Sequence, residues 1–267
     1  MEWQNYSSLN KRINYLLALD REIVGIYFLH HKEDFERFDA PQPKKQATYC
    51  RFVQKATAGE PFKIDANNLA CKAAAISLGL IDEMDKQTDI ERYVHMDVYQ
   101  NLAVSKQVLD EMVGCQKKNA GIGILPISYW KKDPNIVLVI TNPHNAMRMV
   151  QGNVYHNGQL TNIKMAGMQG ICQETTSFPY ESGQMNISLM CSGTRHVARW
   201  KDTELSVGFP FSIFIQVVCG LEKTMNSMEL IEKKRTIIER LEEGNDFDFY
   251  DVRKKENYFR GVYRKDV

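Results

Sequence analysis

The sequence predicts an α+β fold: a mixed sheet built from two weakly similar halves, flanked by helices, with an extra helix near the C-terminal end. Three observations carry this. β-rich runs such as Ile23 to Phe28 and Ile136 to Ile140 alternate with stretches of helical spacing. The order strand, helix-prone stretch, cysteine, proline-broken segment, second cysteine occurs twice. Hydrophobic residues at 43% and charged residues at 25% of 267 positions are ordinary globular usage, enough for a sizeable core. One domain over residues 1–225 is expected, containing the halves 20–80 and 133–200. A C-terminal helix and polar tail follow over 226–267.

Each element has its own signal. Tyr6, Leu9, Ile13, Leu16 and Leu17 form a helical stripe within Trp3 to Leu19. Glu22 to His30 reads as a strand, and Tyr49 to Thr57 as a helix broken by Gly59, Glu60 and Pro61. Phe62 to Ile64 is a short extended piece, and Asp65 caps a helix running to Leu78. Ile81 to Thr88 is an acidic connection, and Val104 to Val113 has helical spacing. Gly121 to Ile127 and Ile136 to Thr141 read as strands joined through Asp133-Pro134-Asn135. Asn142-Pro143 opens a helix that Asn157-Gly158 ends. Ile163 to Ala166 and Asn186 to Met190 read as strands, Ser192 to Trp200 and Phe211 to Met225 as helices, and Glu229 to Glu243 as a charged surface helix.

Several function classes drop out early. Lys plus Arg number 34 and Asp plus Glu 33, so there is no basic excess for nucleic acid. The longest apolar runs fall short of a bilayer span, and the first twenty residues do not read as a signal peptide. A cytoplasmic protein with no membrane partner is the expectation. Six cysteines without an export signal point to a reducing compartment. Cys50, Cys71, Cys115, Cys172, Cys191 and Cys219 contain no CxxC pair, so any metal site must be assembled from distant segments. Gly121-Ile122-Gly123 is a poor phosphate loop, lacking a third glycine and a following helix.

The duplication matters because related halves pack about a pseudo-twofold axis, and equivalent residues near it converge. Tyr49-Cys50 stands beside Ile171-Cys172, and Leu69-Ala70-Cys71 beside Leu189-Met190-Cys191. Four thiolates suit zinc or an iron–sulfur cluster.

The chain also resembles a known family. Asn142-Pro143-x-x-Ala146-Met147-Arg148-x-x-Gln151, preceded by Pro134-Asn135-Ile136-Val137-Leu138, is similar to the domain-of-unknown-function 169 family of uncharacterised ArCR proteins. So are Cys172-x-Glu174, Asn186-x-Ser188-Leu189-x-Cys191-x-Gly193-x-Arg195 and Glu204-Leu205-x-x-Gly208-x-Pro210. Tyr49-Cys50-x-x-Val53 with Leu69-x-Cys71 resembles it in the first half, although Arg21-Glu22 stands where the family often has proline. The resemblance spans about residues 10 to 225. It implies no settled reaction, but the family's anaerobic hosts make an oxygen-sensitive cofactor plausible.

Three readings of the cysteines stand at this point. The leading one is a redox-type protein or enzyme binding an iron–sulfur cluster or other metal through Cys50, Cys71, Cys172 and Cys191, with Arg195 beside it. Arg195 neutralises the cluster, holds a substrate carboxylate in a bidentate fork, or pairs with Glu204. Arg148 and Glu174 are candidates for substrate contact, and the partner is a small molecule or a redox protein. A homo-oligomer is an open option, as is whether the chain is an enzyme at all. The second reading is a small-molecule binding module without catalysis. The third is a cysteine nucleophile, best placed at Cys191 where a strand meets a helix. His144, in the first turn after Asn142-Pro143, is the one histidine kept open as facing a site.

Overall fold

A computed structural model of the chain describes residues 6–82 and 85–244. These fall into two compact units, one of residues 6–20, 143–161 and 212–244, the other of residues 21–142 and 162–211. The first is built on helices α1 (Tyr6–Leu17), α7 (Pro143–Asn157), α10 (Phe211–Met228) and α11 (Ile231–Glu243). Here Gly220 meets Gly152 backbone to backbone, and a Cβ on Gly220 would lie 2.0 Å from the Gly152 carbonyl oxygen. Glycine lets these two helices approach more closely than any side chain permits.

The second unit holds the sheet. Its strands are β1 (Val24–Leu29), β2 (Phe62–Ile64), β3 (Gly121–Pro126), β4 (Ile136–Thr141), β5 (Asn186–Ser188) and β6 (Leu205–Pro210). They lie in the order β2-β3-β1-β4-β6-β5. All their pairings are antiparallel, so the expected mixed sheet is corrected to an antiparallel one. The reason is the connection: the chain leaving β1 runs out to the edge strand β2 before β3 returns beside β1 in the opposite direction. A parallel neighbour needs a crossover back to the same end. The strand segments expected around Asp133-Pro134-Asn135 are β3 and β4, but they flank β1 on either side instead of pairing with each other.

Read from the centre outwards, each side of the sheet follows one chain order: first strand, third strand, second strand. The strands have six, three and six residues on both sides. At the centre, Val24 pairs with Leu138, Gly25 with Val137 and Ile26 with Ile136. The first residue of each strand thus opposes the third of the other. Pro126, last in β3, opposes Val24, and Pro210, last in β6, opposes Ile136. Phe62 opens β2 against Ile124, and Asn186 opens β5 against Gly208.

Side chains alternate across the sheet. One face carries Val24, Ile26, Phe28, Ile122, Ile124, Ile136, Leu138 and Ile140 into the core, where Tyr49, Phe52 and Val53 of α3 (Tyr49–Ala56) pack. On the other face Gly25 lies under the Trp130 indole, Gly121 under Phe35 and Gly123 under Phe38. The remaining helices of this unit are α2 (Lys32–Arg37), α4 (Lys72–Ser77), α5 (Lys86–His95), α6 (Leu102–Glu111), α8 (Phe178–Ser182) and α9 (Ser192–Ala198).

Two local expectations are revised, and two elements appear where none was expected. The helix expected from Asp65 to Leu78 is broken: Asp65 caps a single turn, Ala66–Asn68, and α4 starts afresh at Lys72. Ile163 to Ala166 forms no strand, Asn186 closing on Lys164 through its side chain instead. The run after Gln169 is a π-helix, Gly170–Ser177, and Leu205–Pro210 is a strand the polar Ser206 and Gly208 disguised. The polar tail, 245–267, lies outside the described residues, as do Glu83 and Met84 of the acidic connection.

Candidate functional site

Each cysteine of the predicted set is set in place by a local device. Thr48 caps α3, its hydroxyl accepting from the Arg51 backbone N–H at 3.2 Å, which puts Cys50 in the first turn. A capping box between Asp65 and Asn68 closes the short turn, after which Cys71 becomes the cap of α4. The chain before Cys50 is tied to the chain before Cys71: the Ala47 N–H donates to Asn68 and the Ala70 N–H to Ala47, both at 3.0 Å.

The other two cysteines are joined just as directly. Gly170 opens the π-helix that carries Cys172, and a Cβ there would lie 2.7 Å from Met190 Cα and 3.0 Å from the Cys191 nitrogen. Met190 turns the chain with φ +69°, its N–H held by Ser188 Oγ at 2.9 Å, so that Cys191 caps α9. Cys191 Sγ accepts from the Thr194 N–H at 3.5 Å. The Thr194 hydroxyl accepts from Trp200 Nε1 at 3.1 Å and favours the anionic form of Cys50.

Cys172 lies within electrostatic reach of Cys50, Cys71 and Cys191, and Cys50 within reach of Cys71 and Cys191. Burial pushes the Cys50 thiol up to about 12, opposed by the Thr194 hydroxyl and reinforced by the sulfurs of Cys191 and Cys71. Burial pushes Cys172 well above the ordinary thiol range, and Cys50, Cys71 and Cys191 add to it in that order. Cys172 is 4% exposed, whereas Cys50, Cys71 and Cys191 are half-buried. Cys172 is thus the least exposed of the four. Every one of the four sits at the cap or in the first turn of a helix, and none of those helices has an acidic residue in its first turn. Helix N-termini favour anionic sulfur, but at Cys50 and Cys172 burial wins and keeps the proton on. Cys172 Sγ accordingly donates to the Gln169 carbonyl at 3.6 Å. Among the described residues, no three His, Cys, Asp or Glu side chains close on a single metal-ion position.

A polar scaffold backs the site. Glu174, fully buried, accepts from the Ala166 N–H at 2.6 Å and the Gly167 N–H at 2.9 Å, and from the Ser188 hydroxyl. Thr175 bonds Ser206 at 2.7 Å and Thr176 bonds the Tyr49 hydroxyl at 3.1 Å. The wide π turn leaves carbonyls that these hydroxyls satisfy, as Thr176 does for Ile171 at 2.7 Å. Glu174, expected as a substrate contact, has its carboxylate oxygens engaged in shaping the loop before Cys172 and the strand before Cys191.

The other candidates are placed as follows. Arg195 donates to the carbonyls of Leu189, Lys201 and Glu204, each at 2.9 Å, clamping the segment before Cys191 to the turn after α9. The Glu204 carboxylate pairs with Arg21 at 2.6 Å. Arg148 lies in the other unit, buried, bonded to Glu229, Gln151, Thr224 and the Leu221 carbonyl. His144 Nε2 is 3.2 Å from the same Glu229. Cys115 stands beside Glu181, burial and that carboxylate pushing its thiol to about 12, and Cys219 lies on α10 in the other unit. Sequence reasoning missed Thr194 and Tyr49. Thr194 was open to detection as the third residue after a helix-capping cysteine. Nothing in the sequence marks Tyr49's bond to Thr176.

Residues 12–220 match the model of the domain-of-unknown-function 169 family, uncharacterised ArCR proteins. The chain belongs to that family. The ArCR match takes in all four thiols and both halves of the sheet. A curated relative, an uncharacterised protein of Methanocaldococcus jannaschii, is 24% identical over 216 residues, covering 79% of this chain and 91% of the relative. No solved structure matches the chain. Among the described residues, no helix is long and apolar enough to cross a membrane.

Proposed function

We propose that this ArCR protein holds an iron–sulfur cluster through Cys50, Cys71, Cys172 and Cys191 and works as a redox protein or enzyme. The observation that carries the reading is that Cys50 and Cys172, from different segments, each lie within electrostatic reach of the other three thiols. The donor set suits a cluster: four sulfurs, Cys172 buried and the other three half-buried, at helix ends without first-turn acids, with the Thr194 N–H donating to Cys191. A bound cluster supplies one-electron chemistry, and the chain's own residues orient the sulfurs and exclude water from the Cys172 side. Because Cys50 and Cys172 hold their protons when metal-free, loading must release protons. A reducing, cytoplasmic setting suits six free thiols, and the partner is a redox protein or small molecule.

We also propose that the sheet is an internal repeat, with Cys50 answering to Cys172 and Cys71 to Cys191. The support is the shared register: equal strand lengths, prolines at the same place, and a central pair unchanged when its two strands are exchanged. A twofold axis normal to a sheet reverses strand direction, which agrees with an antiparallel β1–β4 pair.

Anaerobic purification followed by iron, sulfide and zinc analysis tests the cluster, with absorbance near 400 nm as the optical readout. A second reading, a nucleophilic Cys191, draws on the Thr194 N–H that points at its sulfur. It requires colourless protein alkylated stoichiometrically at Cys191 by iodoacetamide.

A further inference from the structure

The face of β1 and β3 turned away from the thiols carries a cavity of about 500 Å³. That lies within the ordinary range of small-molecule sites. Its walls are aromatic: Tyr27 and Phe38 have ring centroids 5.3 Å apart, and Tyr129 is half-exposed at the mouth. Glycine makes room for them. Gly123 has no side chain where the Phe38 ring descends, and a Cβ would come 2.3 Å from it. Lys63 fixes that wall by donating to the carbonyls of Phe35, Glu36 and Phe38, all at 3.0 Å. The opposite wall is fixed by the Tyr27 hydroxyl, which donates to the Lys132 carbonyl at 2.8 Å.

Charge is placed over these rings. Lys132 Nζ lies 5.8 Å from the Tyr27 centroid and 5.7 Å from that of Phe38, and makes no ion pair among the described residues. Arg37, one turn from Asp34, also lines the cavity, and neither makes an ion pair among the described residues. Lys131, by contrast, is matched by Asp39 at 2.6 Å. Two cations without an ion pair among the described residues, beside two rings tilted at 54°, suit a flat ring that carries an anion, and the Asp34 carboxylate adds an acceptor for hydroxyl groups.

We propose that this cavity binds a mononucleotide, its base against Phe38 and Tyr129 and its phosphate on Arg37 and Lys132. The site is independent of the thiols, so neither proposal falls with the other.

Isothermal titration of the full chain with AMP, adenosine and inorganic phosphate tests it. AMP is expected to saturate, with adenosine and phosphate each binding at least about tenfold more weakly. Arg37→Ala and Lys132→Ala should each weaken AMP about tenfold, and Tyr129→Ala should weaken AMP and adenosine alike. These three side chains are exposed or edge residues, so the variants should fold. No saturable binding of AMP at about 1 mM overturns the proposal. So does phosphate binding as tightly as AMP, or AMP affinity unchanged in both Arg37→Ala and Lys132→Ala.

Discussion

The two three-stranded sides of the sheet share a register and differ in what they bury. On β2, Ile64 is fully buried among apolar side chains; at the third position of β5, Ser188 is as deeply buried and serves Glu174 and the Met190 N–H. Ile122 on β3 faces Phe52 and its neighbours, whereas Ser206, second in β6, bonds Thr175. Backbone pairing tolerates such exchanges because it uses no side chains, so one frame supports an apolar anchor on one side and a polar scaffold on the other. The polar side is the one that holds the π-helix and with it Cys172 and Cys191. Glycine follows the same division: on β1 and β3 it admits aromatic rings to the outer face, and on β6 it admits a carbonyl to the inner one.

Exchanging residues between the sides breaks the comparison most severely. Ile64→Ser writes the β5 residue into β2, where no partner awaits the hydroxyl and a cavity is left. A loss of about 4 kcal/mol in urea unfolding is expected. Gly208→Ala comes next: a Cβ would stand 2.0 Å from the Thr175 carbonyl oxygen, and about 3 kcal/mol should be lost, together with the order of the π-helix. Ser188→Ala should cost about 2 kcal/mol, since Glu174 keeps its two backbone donors. If Ser188→Ala proves costlier than Ile64→Ser, the division into anchor and scaffold is wrong.

A smaller effect concerns pH. In the metal-free protein the Cys50 thiol is held up to about 12 by burial, against 9.0 unperturbed. A group raised in the folded state contributes its stability below the unfolded value and loses it as pH climbs toward the folded one. Stability should therefore be insensitive to Cys50 below pH 9.0 and fall from there toward about 12. Mass spectrometry after iodoacetamide at about pH 8 should find Cys50 and Cys172 unmodified until the chain is unfolded.

Much of this was legible in the sequence, for identifiable reasons. Phe62–Ile64, Ile136–Thr141 and the helix opened by Asn142-Pro143 carry strong local signals and lie where they were expected. What escaped depends on tertiary partners. β6 was hidden because Ser206 and Gly208 interrupt its apolar pattern, and both are explained only by Thr175 on another segment. The π-helix has no local signature, and its hydroxyls become intelligible only beside Ser206 and Tyr49. Glu174 and Arg195 make hydrogen bonds to backbone groups that no spacing rule identifies.

The most direct measurement is the iron and acid-labile sulfide content of anaerobically purified protein, read side by side for the native chain, Cys172→Ser and Cys115→Ser. The cluster reading predicts about four iron and four sulfide per chain for a cubane. Both should be lost in Cys172→Ser and kept in Cys115→Ser. Protein free of iron and sulfide after reconstitution, or loading that survives Cys172→Ser, would contradict it.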